Sequence, residues 1–186
     1  MPQPPDDAHS ARRAALALLW EVLEERRLLP EVLPRIVAPL SPPDRARAQR
    51  LATGTLRWMD RADRALGPFL RMKPWPGVHH ALRMALYEIH VDGAAPHGAV
   101  GAAVDLVRGM DRGQSQAGLV NGVLRNVLRK GAWESLPLPR LPKWLRNPLV
   151  ADYGKEVVAA MEAAFARGAP LDLSVTSDAP GWAERL

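Results

Sequence analysis

Arg50, Arg57, Arg61 and Arg64 recur at spacings that place them within about 60° of one another around a helix. A guanidinium forks two N–H groups toward one anion, so a strip of them at helical pitch can follow a phosphate backbone. The opposite face carries Ala48, Leu51, Ala52, Thr55, Met59, Ala62 and Leu66, the pattern of a buried seam. A solvated face with an Asp60–Arg64 pair at i,i+4 explains the same residues. What favours a polyanion is how few acids share the strip, because a merely solubilising face mixes both signs.

Other residues invite chemistry less clearly. Arg12 and Arg13 fall in the first turn of an N-terminal helix, where the dipole disfavours cations. A bound phosphate would offset that cost, and two exposed arginines paying a few tenths of a kcal/mol would explain it equally well. Arg125, Arg129 and Lys130 follow on the polar side of a later helix and could extend a basic surface. His79 and His80 are adjacent, so on a helix they point about 100° apart and cannot share a metal ion. His97, next to Pro96, reads as a local capping or packing residue. Asn121, flanked by Val120 and Gly122 in an apolar helix, reads as a structural lock. There is no Gly-rich phosphate loop after a strand and no nucleophile elbow. Cysteine is absent altogether, which excludes thiolate ligands, disulfides and a cysteine nucleophile in these residues.

Charge is distributed unevenly. Residues 41–73 hold eight basic side chains against three acids, and residues 108–147 hold eight against two. The formal net charge of the 186 residues is only +5, so the remainder is acidic. Two basic regions on an acidic chain point to a polyanion partner, nucleic acid first. No apolar run approaches the roughly 20 residues of a membrane span, and the N-terminus lacks an export signal, so a cytoplasmic location without a membrane partner is expected.

The elements that must position these residues are helical. Residues 1–9 form a Pro-rich flexible arm. Ser10 caps a helix reaching about Arg27, and Pro30 starts a short one in which Pro34 is tolerable only in the first turn. Ser41-Pro-Pro-Asp44 opens a long helix to Leu66, stopped by Gly67-Pro68. Further helices are predicted over Val78–Val91, from Pro96 to Gly109, and from a cap at Ser115 to Gly131. A Pro-studded connector leads to helices over Lys143–Tyr153 and Gly154–Arg167. Leu171 to Thr176 alternates with period two and predicts one strand, the first of a further domain. The expectation is an all-α bundle over 10–131, a connector and helical extension over 132–168, and the truncated start of a linking or catalytic region over 169–186.

Three segments carry a family resemblance. Leu51-Ala-Thr-Gly-Thr-Leu-Arg-Trp58, Pro96-His-Gly-Ala-Val100 with Ala103-Val-Asp-Leu-Val-Arg108, and Gly118-Leu-Val-Asn-Gly-Val-Leu-Arg125 resemble the NusB family of small helical RNA-binding domains. The resemblance implies two helical sub-bundles and RNA contact by arginines at the start of helix one, matched here by Arg12 and Arg13. The continuation through Leu141-Pro-Lys-Trp-Leu145, Tyr153-Gly-Lys-Glu156 and Pro170-Leu-Asp-Leu173 is similar to the RsmB (Sun/Fmu) type of 16S rRNA cytosine-5 methyltransferase. There a NusB-like domain precedes an S-adenosylmethionine-binding catalytic domain whose cysteine attacks the base. Without cysteine these residues can bind 16S rRNA or position a catalytic domain, but cannot methylate. Arg12, Arg13, Arg50, Arg57, Arg61 and Arg64 are the expected phosphate contacts, with Arg125 and Arg129 beside them. Two other readings are a NusB-type antitermination factor and a purely structural domain packed on a catalytic one.

Overall fold

The computed structural model describes residues 10–168 and 174–184. Among them every regular element is helical: α1 (Ser10–Leu23), α2 (Leu29–Val37), α3 (Pro42–Leu66), α4 (Pro76–His90), α5 (Pro96–Arg108), α6 (Ala117–Lys130), α7 (Lys143–Tyr153), α8 (Lys155–Arg167) and α9 (Ala179–Ala183). Helices α1 to α3 pack together, α4 to α6 form a second group, and α4 joins the two by lying against both α1 and α3. The all-α class and the bundle expected from the sequence are found. Residues 171–173 of the expected strand lie outside the described residues, and Ser174 and Val175 have no regular structure.

The core is aliphatic, with Leu18, Leu19, Leu51, Leu66, Leu82, Met84, Leu86 and Leu124 fully buried. Proline sets the starts of α3, α4 and α5, where its fixed φ suits the first turn and its missing N–H would have no partner anyway. Ser41 caps α3 by accepting from the Asp44 N–H at 3.4 Å. Gly131 closes α6 at φ 58, a left-handed conformation that favours glycine.

Three local expectations are corrected, and the stop of α3 at Leu66 is found as expected. Helix α1 stops at Leu23 rather than Arg27, and Arg26 takes φ 59. Pro34 lies inside α2, beyond its first turn; in so short a surface helix the lost bond is tolerated because Val32 and Val37 still bury. Beyond the α3 stop, Gly67, Pro68 and Phe69 form a single 3-10 turn. Ser115 sits in a 3-10 turn and caps nothing, so α6 begins at Ala117.

The crossing of α3 and α4 depends on Gly54, which is buried against the Tyr87 ring. A methyl group there would collide with the ring itself. We therefore expect Gly54→Ala to destabilise by about 1–3 kcal/mol despite the better helix propensity of alanine, read as a lower midpoint in urea. An unchanged midpoint would mean that the crossing does not need the glycine.

Candidate nucleic-acid interface

The two arginines of the first turn part company. Arg12 faces inward: its Nε lies 3.0 Å from both oxygens of Glu88 and its Nη2 2.8 Å from Oε1. Glu88 is buried on α4, and Arg47 of α3 approaches it at 3.6 Å. The guanidinium expected at a phosphate thus neutralises a core carboxylate. Arg13, about 100° further round α1, is exposed and borders a hollow with Leu16, Asp105, Leu106, Gly109 and Met110.

The α3 strip is also divided. Arg50 pairs with Asp92 at 2.9 Å on the surface, and Arg57 is exposed beside Gly168. Arg61 donates to the Trp133 carbonyl at 2.9 Å and lies 4.8 Å from that ring's centroid. On the same ring His90 stacks at 4.8 Å, and His90 Nδ1 meets Glu134 at 3.1 Å. Burial, and then the neighbouring Arg64 cation, lower the Arg61 pKa, with Glu134 opposing them. Arg64 forms the expected pair with Asp60 at 2.6 Å and also donates to the carbonyls of Pro137 and Leu138. Asp60 accepts the Arg140 backbone N–H at 2.9 Å. From α8, buried Glu162 accepts from Leu141 N–H and Arg146 Nε, each at 2.9 Å. Of the four guanidiniums expected on one strip, Arg61 and Arg64 are part of a latch that ties the connector to α3. Glu162 and Trp133 gave no signal in the sequence, since their partners lie far along the chain.

The second basic region stays outward. Arg125 and Arg129, one turn apart on α6, are both exposed, and Arg129 donates to Asn126 at 2.7 Å. Arg125 and Arg108 border a hollow of about 270 Å³ between α5 and α6, with Asn121 and His97 in its lining. Asp105 borders this hollow and the one beside Arg13, so the two adjoin. Tertiary structure thus brings Arg13, Arg108 and Arg125 from three helices to adjoining hollows. Asn121 is half-buried and makes no hydrogen bond to a described residue, so the expected lock is absent. His97 is exposed and does not cap α5.

His79 and His80 take different partners, as their spacing requires. His79 Nε2 meets Asp63 at 3.1 Å, whereas His80 Nε2 meets Glu24 at 3.1 Å. Arg83 Nη1 lies 3.1 Å from His80 Nδ1 and can only donate, so the imidazole proton sits on Nε2, facing Glu24. Burial, reinforced by Arg83 and opposed by Glu24, pushes the His80 pKa down to about 4. Burial would raise Asp63, but hydrogen bonds from His79 and Arg83 outweigh it and hold this carboxyl at about 2. No three His or acidic side chains among the described residues converge on a metal position.

Comparison with known proteins decides the family. Residues 9–129 match the NusB family. The chain belongs to the NusB family. Two relatives are both named ribosomal RNA small subunit methyltransferase B. That of Sodalis glossinidius is 30% identical over 165 residues, covering 83% of this chain and 38% of the relative. That of Xanthomonas campestris is 33% identical over 170 residues, covering 89% and 38%. The chain therefore spans well under half the length of either. Among solved structures, a chain from the antitermination factors NusB and NusE in complex with dsRNA superimposes with a TM-score of 0.58 at 20% identity, covering 66% of this chain and 96% of that one. A chain from a plectonemic RNA supercoil has the same score and identity, covering 66% and 94%. These two likenesses establish the NusB-like fold. No helix among the described residues is long and apolar enough to cross a membrane.

Two outcomes are expected of this site. Replacing Arg61 with Met removes the side-chain donor to the Trp133 carbonyl, which keeps only the Leu136 N–H at 3.1 Å, and takes a cation from that ring, at a cost of about 1–2 kcal/mol. Limited proteolysis should then cut within residues 132–142 faster, whereas Arg50→Ala should leave the rate unchanged. The pH dependence follows from the depressed values: folded His80 resists a proton that the unfolded imidazole, near 6.5, accepts. Its stabilisation is complete above pH 6.5 and falls away toward pH 4, and that of Asp63, ordinarily near 3.8, is lost below that toward pH 2. Melting temperature should decline from pH 7 to 4, less so in His80→Gln; a rise on acidification would contradict the assignment.

Proposed function

We propose that this NusB-family chain is the RNA-binding module of an S-adenosylmethionine-dependent rRNA cytosine-5 methyltransferase. It positions 16S rRNA for a catalytic domain elsewhere in the same polypeptide, in the cytoplasm. The observation that carries the reading is the cationic face on which Arg13, Arg108, Arg125 and Arg129 gather from α1, α5 and α6. Arg50 and Arg57 of α3 add outlying phosphate contacts, whereas Arg12, Arg61 and Arg64 act as internal ties. The reach of the matches favours a methyltransferase over an antitermination factor. Similarity to the methyltransferases runs over 165 and 170 residues, past the end of the NusB match at residue 129, into the connector and extension.

The extension fits a role as a joint. Trp144, Tyr153 and Phe165 are 76%, 57% and 56% exposed, while Trp133 is buried under the latch. Exposed aromatic surface of this kind needs cover, and the catalytic domain is the proposed cover. The cofactor belongs to that domain as well. A cysteine-free sequence with no Gly-rich loop after a strand offers neither the nucleophile nor the usual cradle, so no methyl-transfer step is assigned to these residues.

The test is RNA binding against salt. Arg125→Glu with Arg129→Glu should weaken binding of a structured 16S rRNA fragment well over tenfold and flatten the log–log salt slope by about two, with the melting temperature retained. Unchanged affinity in this double variant would remove the α6 cations from the interface. A wild-type chain that ignores RNA even at low salt would refute the reading altogether.

A further inference from the structure

We propose that the hollow between α5 and α6 is a pocket for one unstacked base of single-stranded RNA, and that it selects bases bearing an exocyclic amino group. The proposal rests on the RNA-binding reading and refines it from a charged face to a built subsite. The hollow measures about 270 Å³, and Val100 and Val104, both largely buried, give it an apolar floor. At Gly101 and Gly118 no side chain intervenes, and a Cβ there would meet nothing within 4 Å. A flat ring can therefore approach the two helix backbones edge-on, which a wall of side chains would prevent.

Polar groups at the rim have the character of base-reading groups. Asn121, whose carboxamide offers two donors and an acceptor, makes no hydrogen bond to any described residue. Asp105 meets Arg108 through Oδ1 at 3.2 Å in an exposed pair, leaving Oδ2 without a partner among the described residues. A carboxylate can only accept, so it favours an amino group, as on cytosine N4, and opposes the carbonyl that uracil presents in the same place. Arg108 and Arg125, both lining the hollow, suit the phosphates on either side of an inserted base. Around them residues 105–130 hold five cations against two acids, which favours RNA over a neutral peptide as the occupant. The base must be unpaired, because a duplex keeps its Watson–Crick edges occupied.

The experiment compares oligo(C) with oligo(U) of equal length on the 186-residue chain by fluorescence anisotropy at fixed low salt. Oligo(C) should bind about tenfold tighter than oligo(U), the discrimination one good base contact supplies. Asp105→Asn, whose amide can also donate to a carbonyl, should bring the two within about twofold of each other. Gly118→Leu fills the hollow, so it should weaken oligo(C) at least fivefold. Its melting temperature should not fall, since leucine is the better helix former and its Cβ meets open space. Equal affinity for the two oligomers, or full oligo(C) affinity in Gly118→Leu, overturns the pocket. If salt-sensitive binding of the 16S fragment survives in that case, the proposed function stands without it. If the wild-type chain binds no RNA at all, both fall together.

Discussion

A carboxylate buried where two helical groups meet cannot be left without a cation, because an unpaired charge in that setting costs several kcal/mol. Glu88 is that carboxylate, on α4, and Arg12 of α1 reaches it through both Nε and Nη2, with Arg47 of α3 close by. The contact specifies more than it stabilises. It fixes the rotation of α1 about its axis, and with Arg12 turned inward its neighbour Arg13 must point elsewhere. That direction is the surface beside α5, where Asp105 links the hollow next to Arg13 to the one flanked by Arg108 and Arg125. The cationic face thus depends on a charge pair that is largely withdrawn from solvent.

The same economy of cations governs α3. A connector rich in proline forms few backbone hydrogen bonds of its own, so its carbonyls need donors from elsewhere. Arg61 and Arg64 supply them, while Asp60 and Glu162 accept the backbone N–H groups of Arg140 and Leu141. Arginine suits the task because its planar fork can serve a carbonyl and lie against an indole together, as Arg61 does on Trp133. The result is a connector tied to the bundle through the backbone of Trp133, Pro137, Leu138 and Arg140.

Much of this architecture was legible beforehand. The cap at Ser41 and the proline at Pro96 mark helix starts by local backbone chemistry, and Gly131 marks an end for the same reason. The apolar seam that periodicity predicts on α3 is buried at Ala48, Leu51, Ala52, Thr55, Ala62 and Leu66, with Met59 half-buried. Arginine was harder to read. Its periodicity on α3 predicts that four guanidiniums share a side of the helix, and says nothing of what lies over that side. Pro34 misled because the rule against internal proline weighs little in a two-turn helix on the surface.

By itself, then, the order of residues determined the helices, some of their ends, the buried seams and the cationic character of two regions, since each of these follows from residue types and spacings within a few turns. Only tertiary structure decided which cations stay on the surface and which hold the protein together. A guanidinium's role is set by the acceptors it reaches: those of Arg12 and Arg61 lie 76 and 72 residues away in the chain, and Arg64 adds the distant carbonyls of Pro137 and Leu138 to its local partner Asp60.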